Sequence, residues 1–195
     1  RAVSFLADMA REEGVEIYEN IPVLRVEEHG AGIKIYTNDG NHTFDLTVVA
    51  PGAWMDQLLP ELGANLEITH QQMIFIKVED KSLVAHGSMP CWSISPRNES
   101  WYGFPLLREG YVKVANDQLG ERVEPDIDRS LKPEFIAWAM DFLRDRIPVL
   151  GNGKVVGGRA CLYANSPDDN FIIDWVPGTQ RILVAGGGSS HGFKF

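Results

Sequence analysis

A strand-like apolar run followed by three glycines, RILVAGGGSS at 181–190, is the feature that most limits the possible fold. Glycine lets the backbone approach a ligand closely, and in nucleotide-binding α/β folds a helix after such a loop directs its N–H groups at the ligand. A second strand-like run, in FDLTVVAPGAW at 44–54, leads into Pro51-Gly52 in the same way. Ligands in these folds lie beyond the carboxyl ends of the strands. We therefore expect Gly52 and Gly186–Gly188 to lie near one ligand.

Hydrophobic periodicity predicts two helices and many short strands in the rest of the chain. Val3, Leu6 and Ala10 recur at helical spacing before Gly14, and KPEFIAWAMDFLRDRIPVL at 132–150 is amphipathic. The apolar face of this second helix consists of Phe135, Trp138, Ala139, Phe142 and Leu143. Segments between about 66 and 117 alternate or are rich in β-branched residues, which predicts an antiparallel sheet with one packed face. Further strands are expected at about 15–19, 23–28, 32–37, 42–49, 154–163, 171–175 and 181–186.

These elements predict a mixed α/β chain of the α+β class, organised in two parts. Residues 1–62 and 151–195 form a partial nucleotide-binding α/β domain. Residues 63–150 form an inserted antiparallel-sheet-plus-helix domain that binds the substrate. The chain begins inside a helical pattern and stops before the helix that should follow its glycine loop. We therefore expect it to be the interior of a longer protein.

Composition argues against several classes of partner. The 195 residues include 18 Lys+Arg and 27 Asp+Glu, a formal net charge of −9, so a basic nucleic-acid-binding face is not expected. No apolar run is long enough to cross a bilayer. Cys91 and Cys161 are too few for a disulfide framework or a cysteine zinc cluster, and the histidines lack metal-ligand spacing. We expect a cytoplasmic protein without a metal, a membrane partner or a nucleic-acid partner.

Four segments occur in an order that is typical of one flavoprotein family. They are VVAPGAW at 48–54, YGFPLLREGYVKVANDQLG at 102–120, RACLYANSPDDNFIID at 159–174 and GGGSSHGFKF at 186–195. Together they resemble the D-amino-acid-oxidase-type flavoproteins, in the branch of monomeric sarcosine oxidase, N-methyltryptophan oxidase and the fructosyl amino-acid oxidases. The resemblance implies FAD as cofactor. It also implies that oxygen oxidises a secondary amino-acid-type amine, such as sarcosine or an N-methyl or fructosyl amino acid, giving imine and hydrogen peroxide.

The resemblance assigns roles to one cysteine and two lysines. Cys161 matches the cysteine that bonds covalently to the 8α carbon of the flavin, whereas composition alone favours a buried structural thiol. Lys113 matches the lysine that activates oxygen beside the flavin, although strand alternation equally allows an outward, solvated lysine. Lys194 matches the lysine that binds the substrate carboxylate, with a solvated surface lysine as the alternative.

Two candidate catalytic positions depart from the sarcosine-oxidase pattern. Asp117 and Trp101 stand where that pattern has a histidine and a tyrosine. A carboxylate at position 117 is more similar to the fructosyl amino-acid oxidases, where it pairs with a secondary ammonium or with sugar hydroxyls. The alternative for Trp101 is core packing. Tyr163 matches the tyrosine that faces the substrate, with a strand-edge cap as the alternative.

The resemblance further implies contacts with the cofactor along several backbone segments. The residues concerned are Val23, Gly52, Ala53, Trp54, Gly187, Gly188, His191, Gly192 and Phe193. Because no G-x-G-x-x-G motif is present, we expect this chain alone to be mostly without FAD and inactive. Two alternatives stay open: a non-catalytic folded module, and a parent protein that is a flavin dehydrogenase. Incomplete sheet edges also predict self-association.

Overall fold

A computed structural model of the chain describes residues 2–63, 65–96, 99–189 and 192. The contacts divide the chain into two compact units, Arg1–Ala50 with Ile173–Ala185 and Pro51–Ile172 with Gly186–Phe195. Helices and several sheets confirm the predicted α+β class, while the predicted domain partition stays a prediction. In chain order the elements are α1 (Ala2–Glu12), β1 (Val23–His29), β2 (Gly32–Thr37), β3 (Asn41–Phe44), β4 (Thr47–Val49), α2 (Met55–Leu58), α3 (Pro60–Gly63), β5 (Glu67–Lys77), β6 (Trp92–Ile94), β7 (Trp101–Gly103), β8 (Val112–Asn116), β9 (Glu121–Arg122), α4 (Pro133–Arg146), α5 (Pro148–Gly151), β10 (Lys154–Asn165), β11 (Ile172–Trp175) and β12 (Ile182–Gly186).

The first unit contains the predicted meander of short strands. β1, β2 and β3 form an antiparallel sheet in that order. The prediction of a strand at 15–19 is wrong, because that segment has no regular structure. The Val15 N–H instead donates to the Ala10 carbonyl at 2.9 Å and closes the end of α1. The side chains of Val15 and Ile17 are exposed, so the alternation that suggested a strand does not reflect a packed face.

The same unit contains the two strands that lead into the glycine segments. β12 pairs with β4 in parallel, with Val184 opposite Val49, and β11 completes the sheet on the other side of β12. Both of these valines are buried, whereas Val48 is 55% exposed. The described residues therefore cover one face of β4 and leave the other exposed. The parallel pairing itself is the arrangement that a nucleotide-binding α/β unit predicts.

The second unit is built on one antiparallel sheet, in the order β10-β5-β8-β7-β6, with β9 also paired to β5. Successive residues of a strand point to opposite faces of a sheet, so the pairing sorts the side chains into two sets. One face packs against α4 and forms the hydrophobic core. The largest contributions to that core from the sheet are Ile74, Ile76, Trp101, Val112 and Val114, all fully buried.

Helix α4 presents the apolar face that the sequence predicted. Ala139, Phe142 and Leu143 are buried, while Phe135 is half-buried and Trp138 is 39% exposed at the edge of the contact. Pro133 stands in the first turn, where its missing N–H has no intrahelical partner to lose. The predicted helix and its predicted face are therefore confirmed, with the aromatic side chains nearest its start reaching the surface.

Helix α1 has an apolar face that no described residue buries. Val3, Phe5 and Leu6 are each more than half exposed, and α1 contains no buried residue. A contiguous exposed apolar surface usually marks a site of association. Self-association of the chain stays a prediction, which a solution mass by light scattering would decide.

We expect Leu143→Ala to lower the free energy of unfolding by about 2–5 kcal/mol, because it opens a cavity between α4 and the sheet. Leu83→Ala is the matched control, since Leu83 is 53% exposed and its truncation should change stability by about 0.5 kcal/mol or less. Urea unfolding followed by tryptophan fluorescence measures both. Equal losses in the two variants would contradict this assignment of the core.

Candidate functional site

The face of the sheet that points away from α4 brings together several of the predicted site residues. Lys113 of β8 pairs with Phe75 of β5. On the other edge of β5, Gln71 pairs with Cys161 and Thr69 with Tyr163. Paired residues of adjacent antiparallel strands share a face, and residues two apart on a strand share it too. Lys113, Cys161 and Tyr163 therefore lie on one face, which we call the open face.

Lys113 is a half-buried cation surrounded by aromatic rings. Its Nζ lies 5.3 Å from the ring centre of Tyr102 and 5.2 Å from that of Phe104. Burial lowers the pKa of Lys113 because it removes water from the charged form. Nearby Cys161 raises this pKa, Arg159 lowers it, and Asp117 raises it. Since these groups act on the Lys113 charge, they share its surroundings.

Tyr102 and Tyr163 form a pair of hydrogen-bonded hydroxyls on the open face. Burial raises the pKa of Tyr102, and the hydrogen bond from Tyr163 opposes that rise. The charges of Asp117 and Cys161 raise the same pKa further. Tyr102 was not among the residues singled out in the sequence. Strand alternation was the available signal, because Tyr102 and its neighbour Trp101 must point to opposite faces.

The structure does not bring Trp101 to the open face. Its side chain is fully buried on the core face, stacked on Phe142 with ring centres 4.8 Å apart. The indole N–H donates to Glu99 Oε2 at 2.6 Å, so the polar atom of this ring is also used within the fold. A group enclosed in this way has no surface to offer to a substrate. Tyr102 takes the place of Trp101 in the candidate site.

Asp117 follows the end of β8 on the open face, where it is exposed. Its backbone N–H donates to the Ser100 carbonyl at 2.6 Å, which continues the pairing of β8 with the chain before β7. The Asp117 charge raises the pKa values of both Lys113 and Tyr102. The Asp117 carboxylate therefore follows the strand that carries Lys113, and its charge acts on both the cation and Tyr102.

The glycine segment after β12 is held at the end of β10. The Ser189 N–H donates to the Ala164 carbonyl at 3.1 Å, and Ser189 Oγ accepts from the Ser166 N–H at 3.2 Å. Gly187 has φ +64°, and a Cβ there would lie 3.0 Å from the Asn170 carbonyl oxygen. This position therefore needs glycine for both its conformation and its space. Ala164, which accepts the hydrogen bond from Ser189, is the residue after Tyr163 in β10.

Gly186 and Gly52 belong to the same compact unit as β10. A Cβ on Gly186 would lie 2.4 Å from Cε of Met55, the first residue of α2. Gly52 has φ +59°, a conformation that side chains disfavour. Ala53 is buried, and the Trp54 indole N–H donates to Asp126 Oδ1 at 2.9 Å.

Of the remaining predicted contact residues, one belongs to the other compact unit, two are described in the unit of β10, and the others lie outside the described residues. Val23 is an exposed residue at the start of β1, in the other compact unit. Gly188 is half-buried and Gly192 is exposed. The predicted roles of His191, Phe193 and Lys194 lie outside the described residues.

The described part of the chain contains neither a metal-binding cluster nor a membrane-spanning helix. No group of three or more His, Cys, Asp or Glu side chains there could hold a metal ion. None of the described helices is both long enough and apolar enough to cross a membrane.

The opposing charges around Lys113 give a sharp test of the open face. We expect Arg159→Gln to raise the pKa of Lys113 and Asp117→Asn to lower it, because one removes a like charge and the other an opposite charge. NMR titration of ¹³C-methylated lysines measures this pKa, with Lys113→Met identifying the signal. Lys154→Gln, at the far end of β10, is the control and should leave it unchanged. Shifts of the same sign in both variants would refute the arrangement.

The comparisons with known proteins cover the whole chain. The family model for FAD dependent oxidoreductases, DAO, matches residues 1–195. N-methyl-L-tryptophan oxidases of Yersinia pestis (strain Pestoides F) and of Yersinia pseudotuberculosis (serotype O:1b, strain IP 31758) are each 34% identical over 202 aligned residues. These alignments cover 100% of this chain and 52% of each relative. The chain therefore spans about half the length of the curated relatives it matches.

Solved structures share the fold. A mutant form of Amadoriase I from Aspergillus fumigatus has a TM-score of 0.79 at 22% identity, covering 95% of this chain and 45% of its own. L-proline dehydrogenase from P. horikoshii has a TM-score of 0.80 at 23% identity, covering 98% of this chain and 50% of its own. At these identities the likeness shows the fold alone. The family match over the full chain shows more: this chain belongs to the DAO family of FAD dependent oxidoreductases.

Proposed function

We propose that the protein that contains this chain is an FAD-dependent oxidase of a secondary amino-acid-type amine. Its substrate class is sarcosine, an N-methyl amino acid or a fructosyl amino acid, and its products are an imine and hydrogen peroxide. The observation that carries the proposal is the shared environment of Lys113, Cys161, Asp117 and the Tyr102–Tyr163 pair on the open face. The N-methyl-L-tryptophan oxidases that are 34% identical to this chain support the same substrate class.

The residues present fit a flavin. Glycines at 186 and 187 stand where a Cβ would meet other atoms, so this segment can be approached closely only as bare backbone. Cys161 is a free, half-buried thiol on the strand beside that segment. We propose that the glycine segment and the turn at Gly52 hold the cofactor, and that Cys161 holds it through a thioether to its 8α carbon. When bound, FAD supplies the two-electron oxidation of the substrate C–N bond.

The polar groups of the open face would orient the amine. The Asp117 carboxylate can pair with a secondary ammonium or accept hydrogen bonds from sugar hydroxyls. The joined hydroxyls of Tyr102 and Tyr163 offer a hydrogen-bonding edge on the same face. Lys194 is proposed as the partner of the substrate carboxylate. Holding the amine at both ends in this way fixes its reacting carbon.

Lys113 distinguishes an oxidase from a dehydrogenase in this proposal. A cation in partly dehydrated surroundings stabilises negative charge that develops as oxygen accepts electrons. The aromatic rings of Tyr102 and Phe104 keep the ammonium on the open face while limiting its hydration. A dehydrogenase, which passes electrons to a carrier, has no use for that charge. The L-proline dehydrogenase that shares this fold keeps the dehydrogenase class as the alternative.

We expect Lys113→Met in the complete oxidase to slow the reaction with oxygen by roughly 10²–10³-fold, the loss typical of one preorganised electrostatic group. Flavin reduction by the amine without oxygen should change far less. Stopped-flow absorbance separates the two steps, and hydrogen peroxide release reports turnover on N-methyl and fructosyl amino acids. Lys154→Met is the matched control.

Unchanged oxygen reactivity in Lys113→Met would reject the oxidase assignment of this lysine. Flavin that stays with the protein after acid precipitation, and leaves it in Cys161→Ser, would support the thioether. The 195-residue chain alone should show little flavin absorbance, as expected of a folded module without the dinucleotide-binding motif. Its two free thiols fit a reducing compartment, so the cytoplasm is the proposed location.

A further inference from the structure

A cavity of about 210 Å³ opens on the side of the sheet that faces α4, where β8 ends and β9 begins. Strand alternation points two of its lining residues, His70 and Asn116, away from the open face that carries Lys113, while Gln71, the partner of Cys161, lines the cavity from the other face. Phe135 and Trp138 of α4 form its aromatic wall. Nothing in the proposed oxidation uses this cavity.

Two buried side chains of the cavity each carry one nitrogen atom without a hydrogen-bond partner in the described part of the chain. His70 is 4% exposed, and its Nε2 has no partner among the described residues. Asn116 is 5% exposed, and its Oδ1 accepts from the Gln118 N–H at 2.8 Å, whereas its Nδ2 has no partner among those residues either. Buried polar groups in folded proteins are almost always paired. Two exceptions in one cavity leave two hydrogen-bonding atoms that an occupant of the cavity can pair with.

The cavity carries no uncompensated charge. The Lys132 ammonium pairs with the Glu121 carboxylate at its rim, and the Lys132 backbone N–H donates to Gln72 Oε1 at 2.7 Å. Burial lowers the pKa of His70, and the charge of Lys132 lowers it further while that of Glu121 raises it, so the net effect favours the neutral ring. The groups that remain for a ligand are amides and a neutral imidazole. These donate to and accept from hydroxyl groups, and they offer an ion no opposite charge.

We propose that this cavity binds a small neutral hydroxylated molecule of the sugar or polyol class. Its hydroxyls pair with His70 Nε2 and Asn116 Nδ2, and its carbon face lies against Phe135 and Trp138. A cavity of roughly 150 Å³ in another protein admits one benzene molecule, so this one has room for a single six-membered ring with substituents. The ligand is therefore of monosaccharide size.

NMR of the histidine rings in the full chain tests this proposal. We expect D-glucose or sorbitol to shift the His70 ring signals saturably, while acetate and methylammonium do not. Asn116→Leu should weaken the binding at least tenfold, because it removes a donor at similar volume. Asn152→Leu, at the exposed end of α5, is the control and should bind as the unaltered chain does.

The outcomes distinguish a neutral hydroxylated ligand from ordered water and from an anion. The absence of a saturable His70 shift with either sugar probe would overturn the proposal and leave ordered water as the partner of both side chains. An equal shift with acetate would overturn the neutral-ligand class. If Asn116→Leu does not fold, the titration of the unaltered chain, read against the two ions, still decides.

Discussion

The packing of one face of a five-strand path against α4 is the interaction on which the rest of the second unit depends. Burial of Ile74, Val114 and Leu143 fixes which residues of β5 and β8 point inward. Because the side-chain period of a strand is two, that choice also fixes which residues point outward. A slip of one residue would bury Lys113 and expose Val114. The hydrophobic core and the candidate site are therefore two consequences of one register.

The Lys113 ammonium is partly removed from water on the open face, and this lowers the free energy of unfolding. The pKa of Lys113 in the folded chain is lowered by burial, so the unfolded chain binds that proton more tightly. Stability therefore rises with pH between the folded and the unfolded pKa of Lys113, and the unfavourable contribution is fully present below that window. Cys161 and Asp117 offset part of it. Such a cation is understandable where it is needed to stabilise charge in a reaction.

Periodicity was sufficient to predict the long elements and the face of α4, because burial on one side leaves a repeating pattern. It failed at 15–19, where alternation exists without a partner strand. For the site, the motifs led to Lys113, Cys161, Tyr163 and Asp117, which the structure brings together. Strand alternation alone shows that Trp101 and Tyr102 cannot both face the site, so it could have pointed to Tyr102 as the site residue. The cavity beside His70 and Asn116 had no sequence signal, because it lies where the pairing of β5 passes from β8 to β9 and no local pattern marks that change.

The neighbours Trp101 and Tyr102 offer the most direct test of a sheet with one structural and one functional face. The measurement is amine turnover per folded molecule of the complete oxidase, with unfolding midpoints recorded on the same samples. We predict that Tyr102→Phe lowers turnover with little change in the unfolding midpoint, whereas Trp101→Phe lowers the midpoint and leaves turnover of the folded fraction nearly unchanged. Loss of turnover in folded Trp101→Phe, with normal turnover in Tyr102→Phe, would contradict this division of the sheet.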